Sequence, residues 1–81
     1  MTPLEAKFMH QHADYWRALV NQDRAIVLGP VMDPAGAYGI GVILAADQAA
    51  ARAMVDDDPV IKAGLGFRAD VHAMLRAMVK T

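Results

Sequence analysis

A chain of 81 residues makes one small domain, and at 56% hydrophobic it carries more apolar side chains than one small core hides. A net charge of −1, with lysine and arginine scattered, excludes the basic stripe that nucleic acid or an anionic membrane surface requires. With no cysteine there is no disulfide, thiol nucleophile or Cys-based metal site, and no apolar run approaches the roughly 20 residues of a membrane span. The surplus of apolar surface favours self-association, so a homodimer is expected. No signal-peptide order opens the chain and no cysteine is present, so the expected location is cytoplasmic. There is no internal repeat or linker, and residues 1–81 read as a single domain.

Thr2-Pro3-Leu4-Glu5 is a helix start: Thr2 caps, Pro3 suits the first helical position and Glu5 completes a capping box. The helix is expected to run to about residue 22. Leu4, Phe8, His12, Tyr15 and Leu19 fall on one face, and Met9, Trp16 and Val20 widen it. Asn21-Gln22-Asp23 ends it. Ala25 to Leu28 is a short strand stopped by Gly29-Pro30. Asp33-Pro34-Ala35-Gly36 is a turn, and Tyr38 to Leu44 returns as the second hairpin strand. Its Gly39 and Gly41 share a face, which admits a close neighbour, a bend or tight helix packing. Asp47 caps an alanine-rich helix from Gln48 to about Val55.

Asp56-Asp57-Asp58 ends that helix, because the residue before Pro59 is pushed out of the helical region. Pro59 to Ala63 forms one more turn, closed by Gly64. From Phe67 the pattern supports two readings. Phe67, Ala69, Val71 and Ala73 alternate with Arg68, Asp70, His72 and Met74, as in a strand. Val71, Met74, Leu75, Met78 and Val79 also fit a helix. A strand to about Met74 with a frayed or helical tail is the expectation. The order α-β-β-α-β holds five of the six elements of a ferredoxin-like α+β domain, lacking the first strand.

In this order and spacing the chain resembles the YciI-like (YCII-related) proteins. The residues that carry the resemblance are His12, Tyr15, Leu19, Leu28-Gly29-Pro30, Asp58-Pro59 and Ala63-Gly64-Leu65. The resemblance covers nearly the whole chain. It implies a dimeric α/β barrel, in which two ferredoxin-like sheets pack face to face. It also implies an active site built on His12 and Asp58. Two departures stand out. The family begins with a strand before the first helix, so this chain reads as N-terminally incomplete or as a rearranged sheet completed otherwise. Val60 stands where the family often has Phe or Tyr.

A histidine near neutrality, oriented by a carboxylate, can take a proton from an acidic C–H or O–H. That makes His12 the candidate general base and Asp58 its orienter, for lyase- or isomerase-type proton abstraction from a small molecule. The alternative is a non-catalytic metabolite-binding or dimerisation module. On that reading His12 is a half-buried imidazole bonded to backbone, and Asp58 only terminates a helix. Tyr15, Gly29, Pro30, Arg68 and His72 are the candidates for lining the pocket. Tyr15 and Trp16 point to different sides of the helix, so both cannot line one pocket, and packing is the expected work of each. Arg68, Asp70 and His72 share a strand face that turns either to the pocket or to solvent. His10 and His12, two apart on a helix, diverge, so no metal site is expected. No phosphate loop, serine elbow or dinucleotide motif is present, and no cofactor is expected.

Overall fold

The computed structural model of the chain describes residues 2–78. Helix α1, Pro3–Asn21, starts as its capping box dictates: Thr2 Oγ1 accepts the Glu5 N–H at 3.1 Å, and Glu5 Oε1 accepts the Thr2 N–H at 2.9 Å. The bond from the Thr2 backbone, and then the one from its side chain, holds the Glu5 carboxyl below its ordinary range. At the other end Asp23 takes a positive φ of 60°, which aspartate tolerates better than most residues. The Arg24 N–H then folds back to the Leu19 carbonyl at 2.9 Å, turning the chain into the sheet.

Strands β1, Ala25–Val31, and β2, Tyr38–Ile43, pair antiparallel, with Leu28 opposite Gly41 and Pro30 opposite Gly39. A register shift between Ala25 and Val27 bulges the start of β1. Gly29-Pro30 is therefore not the stop that the sequence suggests, since β1 runs through it to Val31. Among the described residues only β2 flanks β1, and an edge strand tolerates a residue with no N–H to give. The close neighbour of the glycine face is Leu28. A side chain at Gly41 would collide with Leu28 Cδ1, whereas Gly39 meets nothing closer than 3.9 Å. Between the strands, Asp33 closes the turn twice: its carbonyl accepts the Gly36 N–H at 2.9 Å and its carboxylate the Ala35 N–H at 2.8 Å.

Helix α2, Gln48–Asp56, is capped by Asp47, which accepts the Ala50 N–H at 2.7 Å. The single turn α3, Pro59–Lys62, follows, and Gly64 ends it with a φ of 67°. The core is small and lies between α1, α2 and the start of β1. Trp16, Leu19, Ala25 and Met54 are buried, with Tyr15, Leu28, Ile43 and Val55 packed against them. The buried stripe of α1 is thus centred on its C-terminal half, and Leu4 is exposed. The sheet keeps Ile26, Val27, Tyr38 and Ile40 largely in solvent.

The expected strand from Phe67 to Met74 does not form. The period-two pattern survives: Phe67, Ala69 and Val71 are half-buried, while Arg68, Asp70 and His72 are exposed. A strand, however, needs a neighbouring strand, and neither β1 nor β2 pairs with this segment. Side chains of α2 bond its carbonyls instead: Arg52 Nη1 donates to Ala69 O at 2.8 Å and Gln48 Nε2 to Val71 O at 3.3 Å. The expected helical or frayed tail has no helix up to Met78, and Val79 lies outside the described residues. The architecture is α+β with a two-stranded antiparallel sheet, and the described residues do not complete a ferredoxin-like order. Among the described residues no helix is long and apolar enough to cross a membrane.

Candidate functional site

Asp58 is placed by the proline that follows it. Pro59 bars α2 from continuing, so Asp58 becomes the N-cap of α3. Its Oδ1 accepts the Val60 N–H at 3.0 Å, and its carbonyl accepts those of Ile61 and Lys62, each at 3.0 Å. A capping aspartate ordinarily sits at the surface. This one is only 3% exposed, because α1 lies across it.

His12 and Trp16, one helical turn apart on α1, both reach the same oxygen of that carboxylate. His12 Nδ1 lies 2.5 Å from Asp58 Oδ2, and Trp16 Nε1–H donates to Oδ2 at 2.7 Å. The Asp58 side chain thus has three hydrogen-bond partners, as a buried carboxylate requires. No buried side-chain nitrogen or oxygen among the described residues lacks a partner. His12 is less enclosed, with 31% of its side chain exposed. Its Nε2 has no hydrogen-bond partner among the described residues.

The imidazole opens on a broad cleft of about 1610 Å³ between α1, the sheet, α2 and the stretch 66–77. Of the residues singled out in the sequence, His12, Asp58, Gly29, Pro30, Arg68 and His72 all line it. Tyr15 does not. Its ring stands edge-on to Trp16, with centroids 5.3 Å apart, and its hydroxyl donates to the Met54 carbonyl at 2.6 Å. Burial, then the charges of Asp57 and Asp58, pushes that hydroxyl above its ordinary pKa. Tyr15 is a fastener between α1 and α2. The neighbouring acids are exposed: Asp56 pairs with Arg52 at 2.9 Å and Asp57 stands 3.8 Å from Lys62 Nζ. His10 stands 3.8 Å from Asp14 on the solvent side of α1. Among the described residues no three histidine or acidic side chains converge as metal ligands.

Trp16 is the site residue that sequence reasoning passed over. The signal was present: spacing i, i+4 from His12 puts both on one side of α1, and an indole N–H in a core needs an acceptor. What the spacing does not give is that the acceptor is Asp58, which is 42 residues away.

The fold and the site together define a small α+β domain whose buried aspartate is clasped by a histidine and a tryptophan of its first helix. The YCII-related domain family matches this chain over residues 2–75, and the chain belongs to that family. No curated protein and no solved structure matches it.

Proposed function

We propose that this protein is a small enzyme that abstracts a proton from a small-molecule substrate, with His12 as general base and Asp58 as its orienter. The observation that carries the reading is the 2.5 Å approach of His12 Nδ1 to Asp58 Oδ2 beside an open cleft. With the hydrogen between them on Nδ1, the lone pair of Nε2 faces the cleft side of the ring. Nε2 takes a proton from an acidic C–H or O–H, and the bonding pair stays on the substrate. In an isomerisation the imidazolium returns the proton at a second atom; in an elimination the electron pair expels a leaving group. Asp58 compensates the positive charge that His12 gains. Gly29, Pro30, Arg68 and His72 line the substrate space, and Arg68 puts a cation on the wall formed by the 66–77 stretch. The exposed apolar surface of the sheet supports a homodimer in which two sheets face each other, as in ferredoxin-like dimeric barrels. The cysteine-free composition suits a cytoplasmic location.

A second reading is a non-catalytic binding or accessory module. It is favoured by one observation: the His12–Asp58 bond also ties α1 to the cap of α3, a structural task in itself. The experiment that separates them is deuterium incorporation from heavy water into a panel of small carbon acids, including lactones and aromatic keto acids, read by NMR. The enzyme reading expects incorporation by the wild type, and His12→Gln to abolish it with little change in melting temperature. A variant that melts much lower, with no incorporation by either protein, leaves the structural reading standing.

A further inference from the structure

We infer that Trp16 is a positioning residue that fixes which nitrogen of His12 carries the hydrogen, and therefore whether Nε2 stands away from Asp58 with a lone pair or with a hydrogen. The inference rests on the His12–Asp58 reading and adds to it. An imidazole beside a lone carboxylate oxygen is not committed by geometry alone, because the imidazole and the acid can each hold the shared hydrogen. Trp16 weights that balance toward the carboxylate. Its indole N–H can only donate, so Oδ2 must accept there, at 2.7 Å. The Val60 N–H likewise can only donate, so Oδ1 must accept, at 3.0 Å. The carboxylate is held from both ends as an acceptor and cannot turn over. Both donated bonds are stronger to a charged carboxylate than to a neutral acid, so together they favour the ionised form, in which the hydrogen that joins Oδ2 to His12 Nδ1 comes from the imidazole and the neutral ring keeps its lone pair on Nε2. The arrangement is rigid at its source. Trp16 is 5% exposed, and its ring is braced by the edge of Tyr15.

The logic gives a test that needs no substrate. Long-range proton–nitrogen NMR of the 15N-labelled chain reads the His12 tautomer directly. Asp58→Asn is compared alone and with Trp16→Phe. In Asp58→Asn each orientation of the new amide leaves one donor facing a donor, either Trp16 or the Val60 N–H. Both tautomers are then populated. In the double variant the amide is free to give its oxygen to Val60 and its N–H to His12. The Nδ1–H tautomer should then be lost and the Nε2–H tautomer should take its place. The same tautomer ratio in the single and double variants overturns the role of Trp16. A wild type that lacks the Nδ1–H tautomer overturns instead the His12–Asp58 reading beneath it. Should an Asn variant fail to fold, Trp16→Phe alone decides. Without that donor the carboxylate loses part of its bias, and the share of the Nδ1–H tautomer of His12 should fall. An unchanged tautomer share overturns the inference.

Discussion

Asp58 and the stretch from Phe67 to Met78 are both tied to the body by side chains, with opposite results. Around Asp58 the donors come from α1 and from the first turn of α3, and apolar neighbours close over them: Trp16 is 5% and Val60 3% exposed. In the 67–78 stretch the donors Arg52 and Gln48 reach single carbonyls, and Met74, Leu75 and Met78 stay in solvent. The bonds at Asp58, 2.5–3.0 Å, overlap in length with those of the stretch, 2.8 and 3.3 Å. What differs is water. A hydrogen bond that replaces water contributes little net, whereas one whose loss would orphan a buried group is costly to remove. The same contacts hold a site rigidly in one region and only tether a chain in the other.

The strongest way to break this contrast is to remove the acceptor. Asp58→Ala leaves His12 and the Trp16 indole without their partner and takes away the cap of α3. Leaving a buried donor without its acceptor costs about 1–3 kcal/mol, and losing a helix cap adds about 1 kcal/mol. Leu75→Ala, in the fully exposed part of the other region, should stay within about 0.5 kcal/mol. Urea unfolding of the two variants measures both. A cost for Asp58→Ala below about 1 kcal/mol would mean that water already reaches the carboxylate, and the contrast would collapse.

The legibility of the sequence follows the same division. The helices were readable because their ends are written locally: Thr2 with Glu5, Asp47 before the alanine run, and Asp58-Pro59 all act within three residues. The hairpin was readable from Asp33-Pro34-Ala35-Gly36, though not the passage of β1 through Pro30, which depends on what lies beside that strand. The 2.5 Å contact of His12 with Asp58 links residues 46 apart, and what points to that pair in the sequence is a resemblance in order and spacing rather than any local pattern. The segment from Phe67 was misread because alternation describes which side chains face inward and says nothing of a backbone partner. Phe67, Ala69 and Val71 do turn inward, and still no ladder forms. Trp16 was missed because a donor can be seen in a sequence, but its distant acceptor cannot.

Tyr15, on the sealed side, offers a smaller and pH-dependent test. Burial and the nearby Asp57 and Asp58 raise its hydroxyl above the ordinary value of 10.0. The folded chain therefore keeps this proton after the unfolded chain has begun to lose it. The contribution is fully present below about pH 10 and is lost as the pH rises through the raised folded value. At neutral pH, Tyr15→Phe should cost about 1 kcal/mol, because the Met54 carbonyl loses its donor. On the alkaline side the gap between wild type and variant should narrow. Parallel denaturation curves from neutral to strongly alkaline pH read this directly. A gap that is constant across the range would mean that the hydroxyl is as wet as in the unfolded chain.

A small global effect is expected at Arg52, on the open side, and it separates tether from packing. Arg52 pairs with Asp56 one turn on along α2 at 2.9 Å, and it donates to the Ala69 carbonyl at 2.8 Å. Both bonds are partly or wholly in solvent, so Arg52→Ala should change global stability by no more than about 1 kcal/mol. Its local effect should be larger than its global one. Without the guanidinium, the stretch around Ala69 keeps, among the described residues, the longer Gln48 bond at 3.3 Å and the half-buried Phe67 and Val71. Amide exchange there should speed up relative to wild type, while amides of α1 around Trp16 keep their rates. Gln48→Ala should do the same to a lesser degree, because its bond is the longer of the two. Unchanged exchange in both variants would show that the inward apolar side chains alone hold the stretch against the cleft. The wall that carries Arg68 and His72 would then be a packed surface rather than a tethered one, and the two regions would differ less than their exposure suggests.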